Sequence, residues 1–135
     1  MSTSSLLLKA FNKHFFEFID DLITICPEQK EIANSKEYLL TMKTANPTVL
    51  IKIWYTYIYG PYQEKIDAGD MVFFLNKDYS HDLRLIPNSE QIINTIETSI
   101  REPIRSMDSS NMEKCKKYIQ LISTISAKYM QEKGL

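Results

Sequence analysis

Apolar residues recur at spacings of three and four from Leu8 to Ile25: Leu8, Phe11, Phe15, Phe18, Ile19, Leu22 and Ile25. On an α-helix these positions form one stripe, with Lys9, Lys13, Glu17, Asp20 and Asp21 falling mostly on the opposite side. Ser4 or Ser5 is placed to cap this helix and Pro27 to end it. A second long stripe starts near Ser89 and runs Ile92, Ile93, Ile96, Ile100, Ile104 and Met107. Pro103 lies inside it, where it removes the amide that would bond to Ser99 and crowds that carbonyl. The stripe keeps its phase across the proline, so the pattern predicts a kink and not a break. A third stripe, Met112, Cys115, Tyr118, Ile119, Ile122, Ile125 and Tyr129, follows Ser110-x-x-Glu113, a capping-box pattern.

Shorter pieces fill the middle. Residues 28–33 read as a brief turn, with a helix from Asn34 or Ser35 to Met42 or Lys43. Asn46-Pro47 marks a new start, Asn as cap and Pro at the first helical position. That helix is expected to reach Tyr59 and be interrupted at Gly60-Pro61, with a short helix from Pro61 to Ala68 and Gly69 beyond its end. Asp70 can cap Met71–Leu75. The Val72-Phe73-Phe74-Leu75 run has no second strand-like run to pair with, so it reads as helix. Asn76 to Ser89 reads as loop. The prediction is a single all-α domain, residues 1–135, a compact bundle of about five to six helices with a Pro-kinked fifth helix.

Composition agrees with this picture. The chain has 135 residues, 44% of them apolar, enough for one core without metal or disulfide support. Three glycines and five prolines supply little of the turn punctuation that an all-β domain requires. Net charge is −1, and both halves are balanced, which removes the simplest electrostatic case for a nucleic-acid binder. No apolar run approaches the ~20 residues of a membrane span. The first residues lack a basic stretch and place Lys9 directly after Leu6-Leu7-Leu8, so they read as non-secreted.

Candidate chemistry is sparse. Cys26 and Cys115 have no metal-ligand spacing and are expected as buried thiols, a disulfide being the lesser alternative. His14 has no sequence neighbour that makes it a catalytic base. Asp78-Tyr79-Ser80-His81-Asp82 gathers carboxylates and an imidazole but matches no calcium-loop pattern, and turn capping accounts for Asp78 and Ser80. No cofactor, metal or catalytic residue is assigned. The most unusual stretch is Trp54-Tyr55-x-Tyr57-x-Tyr59-Gly60-Pro61-Tyr62. A helix apolar on every side rarely buries all of them in a small bundle, so Trp54, Tyr55, Tyr59 and Tyr62 are the expected protein-binding surface, together with the loop around Asp78–Asp82; the other reading of the segment is a core helix whose tyrosine hydroxyls reach solvent. The alternative is a nucleic-acid face of Arg101, Arg105, Lys114, Lys116 and Lys117, blunted by Glu97, Glu102 and Glu113.

One resemblance covers most of the chain. Phe11-x-x-x-Phe15-Phe16-x-Phe18-Ile19-Asp20-Asp21-Leu22, Ala45-Asn46-Pro47 followed by Trp54, Pro61-Tyr62 and Gly69-Asp70-x-x-Phe73-Phe74-Leu75, with the Ile-rich kinked helix, resemble small uncharacterised helical proteins encoded by large DNA viruses of algae and other protists. Thirteen lysines against three arginines, with abundant Ile, Asn and Tyr, are consistent with an A/T-rich genome. The resemblance implies the cytoplasm of an infected eukaryotic cell or the virion as location. It brings no catalytic assignment, because the matching positions are packing and capping residues. The expected function is a non-enzymatic protein-interaction module, virion-associated or acting in assembly, with a protein partner or a second copy of itself.

Overall fold

A computed structural model of the chain describes residues 2–79, 86 and 88–134. All regular structure among them is helical, in six continuous rods. The first is α1 (Thr3–Ile25) and the second α2 (Lys30–Ala45). The third begins as α3 (Val49–Ile53), widens into a π-helical segment, Trp54–Tyr59, tightens through Gly60–Tyr62 and ends as α4 (Gln63–Asp67). Then come α5 (Met71–Asn76), the fifth rod, α6 (Ser89–Ile96) with a π segment at Glu97–Arg101 and α7 (Glu102–Arg105), and finally α8 (Ser109–Glu132). No helix among the described residues is long and apolar enough to cross a membrane.

The long stripes do what their spacing requires. Phe11, Phe15, Phe18, Ile19 and Leu22 of α1 are buried, as are Ile119, Ile122 and Tyr129 of α8, and these two helices share the most extensive interface. They run antiparallel. Phe18 stacks on Tyr118 with ring centroids 4.9 Å apart, whereas Phe15, one turn earlier, reaches Trp54, whose indole bonds to Ser123, further along α8. Ile92, Ile96, Ile100 and Ile104 complete the core, and α2 packs across α1 and the second π segment.

Both interior prolines end a π turn. The amide of Gly60 bonds to Tyr55 O just ahead of Pro61, and the amide of Glu102 bonds to Glu97 O just ahead of Pro103. The extra residue in each turn moves a carbonyl away from the proline ring, so the chain stays helical where a regular α-helix would lose a bond and clash. This is the form taken by the kink expected at Pro103, and it also carries the helix through Gly60-Pro61, where an interruption was expected. A Cβ on Gly60 would lie 2.6 Å from Tyr55 O, so the first π turn requires glycine there. Gly69, at φ +75°, closes α4 in the left-handed conformation, and Asp70 bonds back to Lys65 O.

Several boundaries differ from expectation. Ser2, not Ser4 or Ser5, caps α1, accepting from the Ser5 amide. Asp108, not Ser110, caps α8 by accepting from the Asn111 amide at 2.8 Å. Both helices start about a turn earlier than the first strongly periodic residue, and the residue at that earlier start takes the cap. Residues 30–45 form one helix without the expected separate turn, because Ile32, Ser35 and Leu39 share a buried face. Asp70 caps α5 as expected, accepting from the Phe73 amide at 2.9 Å.

Candidate functional site

The aromatic segment lies largely inward. Trp54 has no exposed surface; it packs edge-on against Phe15 and beside Phe74, and its indole N–H donates to Ser123 Oγ at 2.8 Å. Tyr59 is 5% exposed, and its hydroxyl donates to the Asp67 carboxylate at 2.9 Å. Burial, then that carboxylate, pushes its pKa up to about 12. Trp54 and Tyr59 are therefore core residues and not solvent-facing rings. The expectation failed because an α-helical wheel assigns faces at a fixed rotation per residue, and the π turn from Trp54 to Tyr59 shifts them. Tyr55 and Tyr62 keep partial exposure. Tyr62 is held between Phe73 and Tyr79, with Lys77 Nζ 5.0 Å from its ring centre. Asp78 and Tyr79 continue from α5, and Tyr79 is buried; Ser80, His81 and Asp82 of the expected loop lie outside the described residues.

The expected basic face separates into two parts. Arg101 is 6% exposed, and its Nη2 donates to Leu75 O at 2.8 Å and Lys77 O at 2.6 Å. Its guanidinium also lies over Tyr79, 4.8 Å from the ring centre. Arg105 reaches the same Leu75 carbonyl, and Glu97 pairs with both arginines. Two cations thus bind the carbonyl end of α5, where the helix dipole favours positive charge. Burial lowers the Arg101 pKa, and Glu97 opposes that shift. Arg101 is removed from any phosphate-binding surface, and Arg105 is committed to Glu97. The residues between α5 and α6 hide this role from sequence. On α8, Lys116 pairs with Glu113 at 2.8 Å, while Lys114 and Lys117 are exposed.

One concavity among the described residues was not anticipated. It lies between α1 and α2, about 780 Å³ in volume, with an apolar floor that includes Leu8, Phe16, Leu40 and Pro47. Four lysines stand around it, Lys9 and Lys13 on α1 and Lys36 and Lys43 on α2. Lys36 pairs with Asp20 at 2.6 Å, and Lys43 Nζ lies 5.8 Å from the Phe16 ring centre. Lys9, Lys13 and Lys43 make no ion pair with a carboxylate among the described residues. Asn12, between Leu8 and Phe16, also lines the groove. It is 7% exposed; its Nδ2 donates to Pro47 O at 3.2 Å, and its Oδ1 is buried with no partner. The sequence signal was faint: Lys9 and Lys13 sit one turn apart flanking Asn12, but only the placement of α2 makes a groove of them.

The remaining reactive groups are quiet. Cys26 and Cys115 are both free and buried, as expected. Burial first, then the neighbouring Cys26 thiol, raises Cys115 to about 12, and its Sγ lies 3.6 Å from Met107 Sδ. A thiol held protonated is a poor nucleophile. His14 pairs with Glu17 at 2.8 Å on the surface. Among the described residues no three His, Cys, Asp or Glu side chains gather as a metal site would require. No family model, curated protein or solved structure matches the chain.

Proposed function

We propose that the chain is a non-enzymatic helical protein-interaction module that docks its partner in the α1/α2 groove. The observation that carries the reading is the groove itself: an apolar floor of ligand-binding size, ringed by lysines, with no carboxylate, histidine or thiol lining it. That chemistry suits recognition and sets no carboxylate, imidazole or thiol beside the lysines to work with them. The aromatic segment, with Trp54 and Tyr59 spent on the core, contributes Tyr55 and Tyr62 as a secondary patch. A role in virion structure or assembly is part of the proposal and draws its support from the resemblance to helical proteins of large DNA viruses.

Selection of a displayed peptide library against the full chain tests the reading. Binders should perturb the backbone amide resonances of Leu8, Phe16 and Leu40, and replacing Leu40 by Glu should abolish their binding. Binders that perturb only Tyr55 and Tyr62 would move the surface to the aromatic patch. Binding confined to oligonucleotides would replace the protein partner by nucleic acid.

A further inference from the structure

We infer that the partner taken up by the α1/α2 groove is a second copy of this chain, which inserts its α4–α5 corner, led by Val72, between the rim lysines; this rests on the docking reading above. The groove states what its occupant must carry. Its floor, with Leu8, Leu40 and Pro47, calls for an exposed apolar side chain. Lys9, Lys13 and Lys43, in no ion pair among the described residues, call for carboxylates around that side chain.

Among the described residues three large apolar side chains stand out in solvent: Leu6, Val72 and Leu121. Leu6 is on α1, one turn before Lys9 and Ala10 of the groove wall, so it prolongs the groove and does not fill one. Leu121 lies at helical spacing in a row with the exposed Lys114, Lys117 and Lys128 of α8, and so carries the same sign of charge as the rim. Val72 is 72% exposed, the most open of the three. Carboxylates surround it: Asp70 caps α5 just before it, and Glu64 and Asp67 stand exposed on the adjoining α4. Lys65, on the same corner, lies over Phe73, and Lys116, whose stem passes Gly69, is paired with Glu113. Of the three, Val72 alone meets both demands of the groove.

The corner rests on α8, where Gln120 donates to Ile66 O at 3.2 Å, and it shares no residue with the groove. One copy therefore offers its corner while its own groove receives another, and copies add head to tail. A net charge of −1 sets little repulsion between them. Exposed ion pairs contribute little, so the Val72 contact holds the joint and the lysines decide which apolar surface is accepted.

Sedimentation velocity of the full chain, from micromolar to millimolar concentration, tests this. The mean mass should rise with concentration. Val72→Lys should abolish the rise, and so should Leu40→Glu. Changing Lys9, Lys13 and Lys43 together to Gln should weaken association by about tenfold, with circular dichroism unchanged. Mixing Val72→Lys with Leu40→Glu leaves one intact groove for one intact corner, and the mixture should stop at pairs. A parent chain that stays single at millimolar concentration, a Val72→Lys chain that still associates, or a mixture that stays single or grows beyond pairs would overturn the inference. If library-selected peptides nevertheless map to the groove, this inference alone fails; if neither a second copy nor a peptide reaches it, the docking reading fails as well.

Discussion

The Trp54–Tyr59 segment and the α1/α2 groove hold opposite relations between composition and exposure. The first is dense in large aromatic rings and faces mostly inward, with the Trp54 indole matched to Ser123, the Tyr59 hydroxyl to Asp67 and the Tyr57 hydroxyl buried without a partner. The second is built from ordinary residues and faces out, with Lys9, Lys13 and Lys43 in no ion pair among the described residues. Ring density therefore did not locate the open surface; lysines without carboxylate partners around an apolar floor did. It follows that substitutions in the first region should change stability, and substitutions in the second should change binding at nearly constant stability.

The largest expected effect is Trp54→Ala, which empties a fully buried site and leaves Ser123 Oγ without its donor. It should cost about 3–5 kcal/mol in urea unfolding. A loss under about 1 kcal/mol would put the indole at the surface and dissolve the contrast. Next is Gly60→Ala, whose added methyl meets Tyr55 O at 2.6 Å. Backbone cannot yield as a side-chain tip can, so about 1–3 kcal/mol should be lost.

Alkali should act on three groups outside the groove. Tyr59, Tyr118 and Cys115 are each raised to about 12, from ordinary values of 10.0 for the phenols and 9.0 for the thiol. The native state thus holds these protons more tightly than the unfolded chain does. Their contribution is complete below about pH 9 and drains away as pH rises toward 12. Unfolding measured across that range should show falling stability, with a shallower fall in Tyr59→Phe. The smallest expected change in stability is for Lys9, Lys13 and Lys43 replaced by Gln, within about 0.5 kcal/mol. A larger destabilisation would show that these side chains serve the fold.

Reading from sequence succeeded where the α-helical period is regular. Phe11 to Leu22 and Cys115 to Tyr129 are buried on the faces their spacing assigns, and Asp70 caps the helix it precedes. It faltered where the period changes. Trp54, Tyr57, Ile58 and Tyr59 are all buried because a π turn redistributes them, a geometry that composition does not encode. Caps slipped to Ser2 and Asp108 because several Ser and Asp residues near each start could serve, and the first one that the packed helix reaches takes the role. Arg101 read as a surface cation because its partners, Leu75 O and Lys77 O, are backbone atoms some two dozen positions away. The groove depends on how α2 lies against α1, which no local pattern expresses.

The two sulfhydryls give the bundle a native reporter of its own breathing. Cys115 is 2% exposed and bound to its proton well beyond neutral pH, with Cys26 close by near the end of α1. An alkylating reagent can reach Cys115 only in moments when the leading turns of α8 lift from α1. Its labelling rate at neutral pH therefore clocks that local opening, and because neither thiol borders the groove, filling the groove should slow the clock only as far as an occupant tightens the whole bundle.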